Sequence, residues 1–438
     1  MLVLDITVMN VALPRIQHDL HFSSTGLSWV MNVYTLAFGG LLLLGGRLGD
    51  LFGRRTMLIA GISLFTVASL AGGFAESAAW LLISRAAQGV GGAMAGPSVL
   101  ALITTTFTEQ KARLRALALF SGMSSAGFSI GLILGGVLTE SLSWRWSMFI
   151  NVPFGIAVVI LASRLLPPAG PRKSVHLDVP GAITATSGIA TLVYGFISAA
   201  ERGWDAGVTL GSLSVGAVLL AAFVAVESRT AEPLLPLRLF ADRNRAAAYA
   251  AMALGPMAGM STFFFLTQYL QQVRGMNALS TGFAFLPLGL CVFAMTRLIP
   301  RVLPRFGPKY VASLGFGLMS VGLALLVWLD VDTGYFPLIF AAMSVLGLGL
   351  GMAISPLSVV IMGSVPAADA GSAGGSLQTM QQVGSALGLA VMVTVFDSAT
   401  RHAAGAPRHV LVTGMTEAFG LGACIAALAC AVAFTFRR

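Results

Sequence analysis

Apolar runs of about twenty residues recur from one end of the chain to the other, separated by short polar breaks. Reading between charged or turn-rich breaks gives fourteen such stretches, starting with 1–16 and 28–48 and ending with 371–396 and 411–435. At 1.5 Å per residue, about twenty apolar residues cross a hydrocarbon core of about 30 Å. The runs do not alternate apolar and polar positions as barrel strands would. Lipid offers no partner to an open backbone group, so the pattern predicts membrane-spanning helices. The first run is short. Residues 1–14 cover only about 21 Å, so the first helix is expected to lack its beginning, which puts Asp5 near mid-membrane.

Two breaks are longer and carry proline: "RLLPPAGPRKSVHLD" and "ESRTAEPLLPLRLFADRNR". They predict three blocks: a six-span bundle over 1–165, a linker with two further spans over 166–228, and a second six-span bundle over 229–438. A weak echo supports duplicated halves. "GGRLGDLFGRR" and "RLIPRVLPRFGPK" each follow the second span of their block, and each sets Phe-Gly between basic residues, at Phe52-Gly53 and Phe306-Gly307. With the loop after the second span placed in the cytoplasm, nineteen Lys and Arg fall on the cytoplasmic side and six on the outer side, with Arg85 inside a span. That bias predicts fourteen helices with both termini cytoplasmic.

Composition agrees with the membrane reading. The chain has mean hydropathy +0.87, 56% hydrophobic residues and 10% charged residues. The net charge of +9 does not indicate nucleic acid, because the basic residues lie in short loops where orientation accounts for them. Cys291, Cys424 and Cys430 lie in apolar stretches and suggest neither disulfides nor a metal site. Lys111, Lys173 and Lys309 follow Gln, Arg and Pro, so no Gly-Lys pair exists to build a phosphate-binding Walker loop. No His-Glu-x-x-His or Cys-x-x-Cys occurs. The sequence therefore predicts no enzyme, no metal and no cofactor.

The polar residues inside the spans carry the chemistry. An acid in mid-bilayer costs about 2.5–3.5 kcal/mol on insertion scales and needs a partner or a wet cavity. Desolvation raises a carboxylate's pKa and a nearby cation lowers it, so a carboxylate held between them can load and release a proton. Asp5 is the first such residue; the alternative is a structural group bonded to Asn10 or Thr7. By depth, Arg85 lies within side-chain reach of Asp5, so it is expected to face Asp5 or Asn10 across a cavity; the alternative is snorkelling to the outer interface. Gln88 shares Arg85's polar face. Asn32, Tyr34, Gln268, Gln378, Gln382 and Glu417 are further candidates for a substrate cavity. For the glutamines the alternative is joining helices, and for Glu417 an interfacial position.

Four stretches together resemble the major facilitator superfamily, in particular its fourteen-helix drug:proton antiporters of the EmrB/QacA type. They are "LDITVMNVALP" (4–14), "GRLGDLFGRR" (46–55), "LISRAAQGVGGAMAGP" (82–97) and "GFSIGLILGG" (127–136), with "WRWSMFINVPFG" (144–155) as a fifth. The resemblance implies an all-α fold of two six-helix bundles plus two peripheral helices. It implies a proton-coupling role for Asp5, tuned by Arg85, with Asn10 beside them. It also implies a conformational latch at Gly46, Asp50, Gly53 and Arg54, and an antiporter motif at Gly127, Gly131, Gly135 and Gly136. Leu132 stands where the family pattern has proline, which removes the proline-specific bend; plain helix packing is the alternative reading of these glycines. The expected protein is a proton-driven exporter of small, largely hydrophobic compounds. It is expected to be a monomer in a bacterial inner membrane, with a small molecule, the proton and the bilayer as partners. A symporter or uniporter for a small metabolite, or a non-transporting membrane sensor, are the other readings.

Overall fold

The computed structural model describes residues 1–23, 26–107, 109–166, 178–230, 233, 235, 237–363, 365, 370–403 and 405–436; the side chains of some helical residues, Asp50 among them, also lie outside the described set. Among the described residues all regular structure is helical. The first block contains α1 (Leu2–Asp19), α2 (Ser28–Phe52), α3 (Arg54–Gly73), α4 (Ala78–Thr106), α5 (Gln110–Ser141), the short α6 (Trp146–Phe149) and α7 (Asn151–Leu165). A hairpin of α8 (Val179–Arg202) and α9 (Gly207–Glu227) follows. Then come α10 (Arg243–Gln268), α11 (Ala278–Ala284), α12 (Leu286–Leu326), α13 (Phe340–Gly363), α14 (Ala370–His402) and α15 (Pro407–Phe434).

Helix starts follow local chemistry. Ser77, Asp178, Asp242 and Asn277 each accept a hydrogen bond from the backbone N–H three residues on, which satisfies one of the free donors at the start of α4, α8, α10 and α11. Two glycines turn the chain where the sequence echo predicted related loops. Gly53 has φ 92° between α2 and α3, and Gly307 has φ 77° inside α12, so α12 is two helices joined at a sharp bend. Both values lie in the left-handed region that a Cβ disfavours.

Ten helical segments among the described residues are long and apolar enough to cross a membrane, and Ser28–Leu42 and Ile130–Ser141 are shorter apolar pieces. The outside of the bundle is apolar as well. α9 has a hydropathy of 2.2 over a window that is only 17% buried, which suits hydrocarbon and not water. In the first block, α2 and α3 pack on α4, and α1 packs on α5. In the last, α12 packs on α13 and α15, and α10 on α14 and α15. The two meet along α2–α14 and α5–α11. The α8–α9 hairpin lies against the α2–α14 seam. Thr186 Oγ1 donates to Gly40 O at 2.9 Å and Thr394 Oγ1 to Phe196 O at 2.7 Å, beside an apolar cluster that includes Leu36, Ile189, Val193 and Ala390.

Candidate functional site

Asp5 lies in the first turn of α1, fully buried. Its Oδ2 accepts from Arg85 Nη1 at 2.6 Å. Its Oδ1 accepts from Asn151 Nδ2 at 2.7 Å and from Gln88 Nε2 at 3.2 Å. Arg85, also fully buried, donates from Nη1 to Gln88 Oε1 at 2.7 Å and from Nε to Val30 O at 3.1 Å. Its Cζ lies 4.4 Å from the centroid of the Tyr34 ring. Gln88 Nε2 also donates to Ser69 Oγ at 2.7 Å. One hydrogen-bonded cluster thus ties together five helices, α1 to α4 and α7, with α4 and α7 reaching the carboxylate itself. A charge pair removed from water persists only where additional hydrogen bonds satisfy it, and here two side chains, Gln88 and Asn151, and the Val30 carbonyl do so. Arg85 Nη2, Asn151 Oδ1 and the Tyr34 hydroxyl are buried without a hydrogen-bond partner among the described residues. Sequence reasoning paired Asp5 with Arg85 and set Gln88 beside them, but it passed over Asn151.

A cavity of ≈ 380 Å³ lies on the other side of α1. Val3, Ile6, Thr7 and Asn10 form one stripe of α1 and face it. Asp5 sits about 150° around the helix from that stripe, at about 100° per residue. The expectation that Arg85 faces Asp5 across a cavity is therefore corrected: the pair lies inside the first bundle, behind α1. Asn10 is corrected likewise. It lines the cavity, and its Oδ1 has no partner among the described residues. Helices α10, α12, α13 and α14 complete the walls. The described lining carries no ionisable side chain.

Of the substrate-cavity candidates, Gln382 lines this cavity, with Gln381 beside it. Tyr34 and Gln88 belong to the ion-pair cluster instead. Asn32 and Gln268 are buried, but neither is among the described lining, nor is Gln378. Glu417 is exposed and borders a separate recess with Trp204 and Thr394. An apolar run conceals which way a polar residue points, because no periodicity marks its lipid face.

The Major Facilitator Superfamily profile matches residues 1–389. The chain belongs to the major facilitator superfamily. It is 41% identical over 404 residues to the puromycin resistance protein pur8 of Streptomyces alboniger, covering 91% of this chain and 80% of that one. It is 38% identical over 438 residues to the cephamycin export protein CmcT of Amycolatopsis lactamdurans, covering 99% and 89%. Among solved structures it is similar to the human organic anion transporter MFSD10, with TM-score 0.65 and 17% identity over 99% of this chain and 96% of that one. At that identity the likeness concerns the fold. Family and relatives together make this superfamily member a transporter, not an enzyme, in a membrane it crosses many times.

The superfamily's motif positions can now be placed. Around the predicted latch, Arg54 Nη1 donates to Gly46 O at 2.9 Å, and an atom added at Gly49 would meet Arg54 Cδ at 2.9 Å. Arg47 Nη2 donates to Pro233 O at 3.1 Å. The Asp50 side chain lies outside the described residues. In the antiporter motif, a Cβ at Gly131 would overlap the Thr7 hydroxyl, one at Gly135 would lie 2.9 Å from Val8 Cα, and one at Gly136 2.6 Å from Ala278 O. These three let α5 approach α1 and α11. A Cβ at Gly127 would meet nothing within 4 Å, so the expected packing role is corrected there. Leu132 is buried, and its carbonyl lies 2.5 Å from where a Cβ on Gly282 would be. The motif thus sits at the seam between the halves. Near the same end, Gln271 Nε2 donates to Val11 O at 3.0 Å and Gln272 Nε2 to Gln17 Oε1 at 2.9 Å, which tie α1 to the turn after α10.

Proposed function

We propose that this transporter exports small, largely hydrophobic compounds by exchange for protons, in a bacterial inner membrane with both termini in the cytoplasm. The relatives' names, resistance to puromycin and export of cephamycin, support export and drug or antibiotic cargo. Ten long spans, two shorter apolar helices, α1 and the extra crossing made by the bend at Gly307 support fourteen crossings. They support a division into 1–165, 166–228 and 229–438. Asp5 is the proton-coupling group, Arg85 its counter-charge, and Asn151 and Gln88 hold the carboxylate between them. The cavity beyond α1 takes cargo as the two halves rock about it. Gly46, Gly53, Asp50 and Arg54 form the inner latch, and Gly131, Gly135 and Gly136 the packed seam.

The observation that carries this reading is the buried Asp5–Arg85 pair, placed back to back with an uncharged cavity on one helix. Protonating Asp5 weakens its bonds to three donors on α4 and α7 and frees α1, while cargo presses the other face of α1. Binding of either ligand then favours a different packing of one element, which is what coupling requires. Flux of puromycin from right-side-out vesicles tests it. An outer-acid gradient should accelerate efflux, and Asp5→Asn should abolish the acceleration while leaving downhill exchange. Movement of drug in the same direction as the proton indicates a symporter, and indifference to the gradient a uniporter. A gradient response intact in Asp5→Asn moves the coupling to another residue.

A further inference from the structure

We infer that the cargo is uncharged and carries a paired hydrogen-bond donor and acceptor, such as a carboxamide or lactam, on an apolar body. This rests on the cavity beyond α1 being the cargo site. Asn10 comes from the first half of the molecule and Gln382 from the last, and both line that one cavity. Asn10 Oδ1 and Gln382 Nε2 are buried with no hydrogen-bond partner among the described residues. One is an acceptor and the other a donor. By contrast, the neighbouring hydroxyls are spoken for: Thr7 Oγ1 donates to Leu4 O at 3.0 Å and Ser385 Oγ to Gln381 O at 2.9 Å.

A buried polar group left unmatched costs about 1–3 kcal/mol, and that cost disappears when a ligand supplies the match. The last torsion of an amide side chain is broad, so each atom can turn toward a guest. A carboxamide presents N–H and C=O together and would bridge the two halves, Asn10 accepting and Gln382 donating. A formal charge would find no counter-ion, because the described lining has no ionisable side chain. The rest of the lining includes Met252, Met260, Met319 and Phe316. Methionine adapts to differing shapes, so the apolar body can vary while the polar anchor stays fixed.

Equilibrium dialysis against the full-length protein in lipid nanodiscs tests this, with empty nanodiscs as blank. The probes are methylnaphthalene, naphthamide, naphthoate and naphthyltrimethylammonium. Naphthamide should bind about tenfold more tightly than either charged probe. Asn10→Ala and Gln382→Met should each weaken naphthamide about three- to tenfold and leave methylnaphthalene unchanged. A charged probe that binds as tightly as naphthamide overturns the inference. So does a naphthamide advantage over methylnaphthalene that survives both substitutions. Ile354→Trp, at a partly exposed wall position, separates the underlying reading. It should weaken all four probes; if all four are unmoved, cargo binds elsewhere and the cavity reading fails first. Thermal unfolding of each variant confirms that it is folded, and Gln382→Leu replaces any variant that is not.

Discussion

The two faces of α1 are opposites. One presents a carboxylate to an arginine and two amides in a sealed, charged cluster. The other presents Val3, Ile6, Thr7 and Asn10 to an open, uncharged cavity with unmatched polar atoms. Where a buried charge is held by its counter-charge, removing one leaves the other stranded, so the cluster governs stability. Where the lining carries no charge, a change at a partly exposed wall position alters what fits more than how the chain packs, so the cavity governs selectivity. The comparison separates residues that a list of conspicuous polar positions would pool.

The sharpest way to break this contrast is Arg85→Met. It strands a buried carboxylate and should cost about 3–5 kcal/mol, read as a large fall in unfolding temperature. The double variant Asp5→Asn/Arg85→Met should recover most of that loss without recovering gradient-driven efflux. Stability unchanged in the single variant would mean the pair is not buried as described. Next in size, Asn151→Leu removes one of three donors to Asp5 and should cost about 1–3 kcal/mol in the same melt. On the cavity side, Ile354→Ala, at a partly exposed wall position, should shift the rank order of transported compounds in a growth-inhibition panel. A melting loss as large as that of Arg85→Met would erase the distinction between the faces. The smallest effects pair two motif glycines. Gly131→Ala drives a Cβ into the Thr7 hydroxyl and should slow transport, whereas Gly127→Ala has open space and should do nothing measurable in either assay.

Much of this was legible in the chain. Rise per residue put Asp5 and Arg85 about 6 Å apart in depth, within an arginine side chain's reach, and an acid and a base that close in lipid seek each other. Depth says nothing about direction around the helix. Asp5 and Asn10 are five residues apart, about 140° around the axis, so they face different neighbours although both are buried. Counting that angle would have separated them from sequence alone. Asn151 was harder, being a lone neutral amide among aromatic and apolar residues in "WRWSMFINVPFG", with no charge to mark it. The cavity walls from α10 and α13 were not legible, because those helices are apolar all round and their pattern does not name a face.

The bends at Gly53 and Gly307 can be set side by side. Two Phe-Gly pairs that share little other sequence hold the same left-handed elbow, one per half. Around the first elbow an arginine is tied back to its own hairpin at Gly46; the second opens on a recess of ≈ 350 Å³ beside Asp242. The two halves thus turn on the same backbone elbow amid different side chains, so each elbow is bound to its glycine and not to the contacts around it.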